Sequence, residues 1–116
     1  MKIIIIMNDP PYGAERCYNA LRLAISLSKQ HGVELRVFFM ADAVSCGKAG
    51  QNTPNGYYNI ERMLKSLAMR GIPIGCCGCC MEARGLVPND LLQGAHKSSM
   101  EELTEWTLWA DKSIVF

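Results

Sequence analysis

The 116-residue chain has no apolar run long enough to cross a bilayer. Its most continuous one, Ile3-Ile4-Ile5-Ile6, follows a single lysine and has no small-residue cleavage site behind it. It reads as a buried strand rather than a signal peptide. An excess of charge of one sign is missing too. There are 12 Lys and Arg against 11 Asp and Glu, a net charge of +1, and the basic residues are scattered singly. That argues against a nucleic-acid binder, which carries a basic face or stripe. No G-x-x-x-x-G-K-S/T loop and no G-x-G-x-x-G turn occurs, which removes the usual phosphate cradles. There is no internal repeat, no low-complexity tract and no second block of core sequence, so residues 1–116 are expected to form one domain.

Cysteine, by contrast, is plentiful. The chain has 6, and four of them fall in Cys76-Cys77-Gly78-Cys79-Cys80, at the end of an apolar run. This stretch holds two overlapping C-x-x-C spacings, Cys76/Cys79 and Cys77/Cys80. The expected compartment is the cytoplasm, where thiols are kept reduced. In that setting such a cluster points to catalysis, redox chemistry or metal binding rather than to a disulfide framework.

The hydrophobic pattern organises the rest. Residues 2–7 and 34–39 read as strands, the first buried on both faces as in a parallel sheet. A helix is predicted over 14–30, with Cys17, Ala20, Leu21 and Ala24 on one stripe and Gly32 beyond its end. Residues 40–56 read as a long loop, a lid over a site, with a helical turn near 41–49. A second helix is predicted over 58–69 and a third strand over 72–76. Residues 81–85 read as a short turn, 86–93 as irregular and 94–97 as a short strand. Ser98 with Glu101 and Ser99 with Glu102 offer overlapping capping boxes for a helix ending near 110, before a last strand at 113–116. The sum is an α/β fold with helices on both faces of a mostly parallel sheet. Sites in such sheets lie beyond the carboxyl ends of the strands, where the thiol cluster falls.

A cysteine that leaves a strand and enters a helical turn meets unpaired backbone N–H groups, which lower its pKa. Cys77 and Cys80 fit that position, and Arg84 one turn on adds a positive charge. Such a thiolate can carry a sulfane sulfur, close a disulfide with its C-x-x-C partner, or ligate zinc. Adjacent strand residues face opposite ways, so Cys76 and Cys77 cannot share a pocket. A zinc site from Cys76, Cys77, Cys79 and Cys80 alone is also awkward, because four-thiolate sites usually draw two C-x-x-C pairs from separate segments, and it would need ligands from another subunit. Cys17 reads as a small hydrophobe, and Cys46 as either a bystander or a second thiol near the site. Asp9 and Asp42 follow strand ends and are expected to brace loops or to orient a thiol. His31 reads as a helix-end residue, His96 as a contact residue, and Trp106 and Trp109 as core or subunit contact.

Several segments, taken in order, carry a resemblance. They are Pro11-Tyr12-Gly13, Phe39-Met40-Ala41-Asp42-Ala43-Val44, Gly50-Gln51, Gly56-Tyr57-Tyr58-Asn59-Ile60, the cysteine cluster leading to Arg84-Gly85, and Trp106-Thr107-Leu108-Trp109-Ala110-Asp111-Lys112. Together they resemble the DsrE/DsrF-like family, and within it the small YchN-type members, over essentially the whole chain. The resemblance implies a flavodoxin-like three-layer α/β fold of about five strands. It also implies a homotrimer or a homohexamer built from trimers. In sulfur-relay members such as TusD and DsrE, a cysteine after the third strand and upstream of an Arg-Gly pair accepts a persulfide sulfur. That position matches Cys77 here, and a YchN-type C-x-x-C maps onto Cys77 and Cys80. Cys76 and Cys79 depart from the pattern.

The expectation is therefore a cytoplasmic sulfur carrier without a small-molecule cofactor, a transfer protein rather than a turnover enzyme. Cys77 and Cys80 would act, with Arg84, Cys76, Cys79, Asp42, Asp9 and Tyr12 in support. Its partners would be its own copies and proteins with a reactive cysteine, not nucleic acid or membrane. The alternative is a redox-sensing or zinc-binding interaction module built on the same cysteines.

Overall fold

The computed structural model describes residues 1–116. Five strands, β1 (Lys2–Met7), β2 (Glu34–Phe39), β3 (Ile74–Cys77), β4 (Ala95–Ser98) and β5 (Lys112–Val115), form one sheet. The helices are α1 (Arg16–Ser28), α2 (Ile60–Met69), α3 (Gly78–Ala83) and α4 (Met100–Trp109). The strand order is β4-β3-β2-β1-β5 and every pairing is parallel.

The alternation along β1 shows how the layers form. Ile3, Ile5 and Met7 join Leu35, Val37, Phe39, Ile74 and Cys76 in one core cluster. Cys17, Ala20, Leu21 and Ala24 of α1 and Ile60, Leu64 and Leu67 of α2 cover that face. Ile4 and Phe38 point the other way, onto Leu103 and Trp106 of α4. Burying side chains of this size stabilises by roughly 1.5–3 kcal/mol each. A one-residue register slip would move the whole set to the wrong face, so the register is strongly specified.

Element ends depart from the sequence reading for local reasons. The second helix begins at Ile60 rather than two residues earlier, because the Asn59 side chain accepts from the Arg62 N–H at 3.0 Å and caps it. β3 starts at Ile74 because Gly71 takes φ +76° and Pro73 has no N–H to give the ladder. It runs on through Cys77, one residue further than expected. α4 uses Ser99 as its cap, accepting from the Glu102 N–H at 3.2 Å. Ser98 instead donates to the Glu102 carboxylate at 2.6 Å.

The long connection after β2 is not a free lid. Its first part is a 3₁₀ helix, Ala41–Gly47, with Ala43, Val44 and Cys46 buried. Its second part is pinned by Glu61, whose carboxylate accepts from the Gly50 N–H at 3.0 Å and the Gln51 N–H at 2.8 Å. The Gln51 side chain donates to the Cys46 and Lys48 carbonyls, both at 2.9 Å. Tyr12 donates its hydroxyl proton to Gln51 at 2.6 Å and accepts from the Ile60 N–H at 3.1 Å.

Candidate functional site

The path to the site starts at the end of β3. Cys77 is both the last strand residue and the N-cap of α3. Gly78 follows because nothing larger fits: a Cβ there would stand 2.8 Å from the Ser98 carbonyl oxygen and 2.9 Å from Lys97 Cε. The chain can thus turn into α3 hard against β4. One turn of α3 brings Cys80 back to Cys77, since residues three apart on a helix are neighbours. Both side chains are half-buried.

A third element closes on this pair. The Ala41 N–H donates to Cys80 Sγ at 3.3 Å. Ala41 holds φ 50°, the left-handed region, at a cost of roughly 1–2 kcal/mol for a residue with a Cβ. The strained turn between β2 and the 3₁₀ helix is what aims that amide at the sulfur. Arg84 at the end of α3 donates through Nε and Nη2 to one Asp42 oxygen, at 3.0 and 2.8 Å, and through Nη1 to the Cys80 carbonyl at 3.0 Å. Its charge is met by Asp42 rather than aimed at a thiolate, which corrects the role expected of it. Lys97 and Glu82 form a second rim pair at 2.7 Å.

The electrostatics differ from the sequence expectation for Cys77. Its thiol pKa stands above the ordinary cysteine value, first because burial disfavours the anion and then because Cys80 is beside it. The Cys80 and Cys79 amides pull the other way and do not prevail. No side-chain cap bond forms at the start of α3.

The other candidates lie elsewhere. Cys76, one step back on the strand, points into the core and is fully buried. Burial, and then the neighbouring Cys77, pushes its thiol up to about 12. Cys79 is exposed to solvent. The four clustered cysteines therefore diverge, and no group of three or more His, Cys, Asp or Glu side chains is placed to hold a metal ion. Asp9 pairs with Arg16 at 3.6 Å at the foot of α1, and Tyr12 belongs to the loop brace. His96 meets Glu102 and the edge of Trp106. Trp106 is core, and Arg36 lies over Trp109 at 3.9 Å, so neither indole is a free platform.

One grouping was not anticipated from sequence. Cys17 and Cys46 both lie fully buried in the core cluster that also holds Cys76. The only signal was that each could be buried; nothing in the spacing joined them.

Fold and site together define a small, all-parallel α/β protein with a half-buried dithiol at the carboxyl edge of its sheet. The chain belongs to the DsrE/DsrF-like family, whose model matches residues 1–116. It is 42% identical over 116 residues to protein YchN of Escherichia coli, covering 99% of this chain and 98% of that protein. The crystal structure of that YchN superposes with a TM-score of 0.93 over 99% and 98% of the two chains. A sulfurtransferase TusD homologue of Haemophilus influenzae is 26% identical over 124 residues, covering 98% of each chain. A protein of unknown function from Methanobacterium thermoautotrophicum is 14% identical with a TM-score of 0.74, covering 99% and 97%, and shares the fold. No helix is long and apolar enough to cross a membrane.

Proposed function

We propose that this chain is a sulfur-relay protein that carries sulfane sulfur on Cys77, with Cys80 as the partner thiol. One observation carries the reading: Cys77 and Cys80 sit one helical turn apart at the carboxyl edge of the sheet, both half open to solvent, with the Ala41 amide on the second sulfur. The distant likeness to a TusD homologue supports the same chemistry. Cys77, once deprotonated, attacks the outer sulfur of a donor persulfide. A sulfur–sulfur bond forms to Cys77, the donor's sulfur–sulfur bond breaks, and the donor leaves as a thiolate. An acceptor thiolate then takes the outer sulfur and releases Cys77. Alternatively Cys80 attacks the inner sulfur, forming the Cys77–Cys80 disulfide and expelling hydrosulfide. Burial raises the Cys77 pKa, so the resting thiol is mostly protonated and reacts through its thiolate fraction.

The partners are donor and acceptor proteins with reactive cysteines, and copies of this chain in a trimer or hexamer. Exposed Leu108, Met100, Val115 and Tyr57 support self-association. A reducing compartment suits the chemistry, and we assign the cytoplasm. The test is loading with a low-molecular-weight persulfide, followed by alkylation and tryptic digestion. The reading expects a trapped persulfide on Cys77 within residues 71–84. Cys77→Ser should abolish it, and Cys80→Ser should lengthen its lifetime. Loading that survives in Cys77→Ser would overturn the assignment.

A further inference from the structure

The amino ends of the strands, opposite the dithiol, are not flush. β2 starts at Glu34, but its pairing with β3 begins only at Val37 opposite Ile74. The Ile72 N–H turns back to the Leu67 carbonyl at 3.2 Å and takes no part in the ladder. The first bond across this seam runs from the Val37 N–H to the Pro73 carbonyl at 3.0 Å. By the alternation of a parallel ladder, Leu35 turns its own N–H and C=O toward the gap below, where Pro73 has no N–H to offer. A cleft of about 320 Å³ opens there, and Glu34, Leu35, Arg36, Arg70, Pro73 and Trp109 are among the residues that line it.

Its two guanidiniums are unlike the other paired ones. Arg84, Arg16 and Arg22 each meet a side-chain oxygen, of Asp42, Asp9 and Asn19. Arg36 and Arg70 have neither a side-chain hydrogen bond nor a carboxylate partner. Arg36 is nonetheless half-buried and fixed in place, 3.9 Å from the Trp109 ring centre and 5.4 Å from that of Trp106. Glu102, on the same helix as the indoles, spends its Oε1 on Ser98 and His96. Glu34 lines the cleft but pairs with neither arginine. A guanidinium carries five N–H donors in a rigid fork, and burial makes unused donors costly.

We propose that this cleft binds a phosphoryl dianion, seated on Arg36 with Arg70 and the Leu35 N–H beside it. The fork of a guanidinium matches phosphate oxygens two at a time. A phosphoryl group carries about −1.5 to −2 charges at neutral pH, enough to answer two guanidiniums where a single carboxylate answers one. The indole clamp holds Arg36 ready, so little side-chain freedom is lost on binding. The volume is at the lower end of small-molecule sites, about 300–1,000 Å³, and exceeds what bare phosphate fills. That favours a small phosphate monoester over the free ion. Glu34 at the cleft disfavours a second anionic group on the ester's other end. The site uses none of the residues assigned to sulfur transfer and does not depend on that assignment.

The test follows the arginine Nε–H signals of the full chain by NMR. Sodium phosphate, glycerol 3-phosphate, sodium acetate and sodium chloride are titrated at matched ionic strength. Phosphate and the ester should each shift Arg36 and Arg70 saturably and leave Arg22 and Arg84 in place. Tighter binding of the ester would identify a phosphorylated metabolite as the ligand, and equal binding the free ion; both support a phosphoryl site. Arg36→Gln, read at Arg70, should weaken binding at least about tenfold, with Arg36→Lys recovering part of it. Arg70→Gln, at an exposed position and read at Arg36, gives the same test should Arg36→Gln fail to fold. Shifts that never saturate, that chloride or acetate reproduces, or that Arg22 shares would overturn the proposal. So would an unchanged titration in a folded Arg36→Gln or Arg70→Gln protein.

Discussion

Replacing Glu61 tests whether the long segment after the 3₁₀ helix is held by one buried carboxylate. The Glu61 side chain is only 9% exposed and accepts from two backbone amides, Gly50 at 3.0 Å and Gln51 at 2.8 Å, while pairing with Lys65 at 3.2 Å. Hydrogen bonds to a charged group contribute about 1.5–3 kcal/mol each, and the exposed end of the Lys65 pair adds only about 0.3–0.5. Burying the carboxylate offsets part of this, so Glu61→Ala should cost about 2–4 kcal/mol. Glu61→Gln keeps one acceptor oxygen without the charge and should cost about half of that. Against a total stability of about 5–15 kcal/mol, the loss is large. With a urea slope of about 1–3 kcal/mol per molar, the Ala midpoint should fall by about 1–2 M at pH 7. The pH dependence fixes the sign. Burial pushes the Glu61 pKa up, but the Gln51 and Gly50 amides and Lys65 outweigh it, and the folded value lies below the usual 4.5. Stability from this group is therefore present above the unfolded pKa and lost as pH falls through the folded one. The gap between wild type and Glu61→Gln should close in acid. A loss below about 0.5 kcal/mol for Glu61→Ala, or a gap that widens in acid, would refute the reasoning.

Gly47→Ala places a Cβ 2.8 Å from Cys76 Sγ and 3.3 Å from Leu91 Cδ2. It should cost about 1–3 kcal/mol by overpacking, and most of that should vanish in a Cys76→Ala background, measured as a double-mutant cycle in urea. Gly78→Ala meets a backbone carbonyl at 2.8 Å rather than a side chain that can yield. It should cost about 2–3 kcal/mol and weaken capture of a dithiol-specific arsenical by Cys77 and Cys80. Cys77 is held above the ordinary cysteine value of 9.0, so its alkylation rate should still be climbing past that pH. A plateau below neutrality would mean that the site stabilises the thiolate, and would overturn this reading.

The strands were legible because β-branched runs such as Ile3–Ile6 have few other uses. The split of Cys76 from Cys77 was legible because strand side chains alternate. Helix ends were readable to about two residues, the margin set by caps such as Asn59. What could not be read was tertiary. Asp42 and Arg84 meet only because the 3₁₀ helix folds over α3. Cys46 looked like a loop residue until that helix buried it. The Cys77 pKa depends on how much burial outweighs two amides, and no spacing rule reports that balance. A braced connection read as a lid because Tyr12 reaches Gln51 from another element and the Glu61 bonds to Gly50 and Gln51 leave no sequence signature.

The account stands most directly on the intact mass of natively purified protein, before and after reductant, beside Cys77→Ser. It predicts a reductant-labile gain of about 32 Da, one sulfur, present in wild type and absent from the variant. A metal adduct without labile sulfur, or a labile gain that persists in Cys77→Ser, would contradict it.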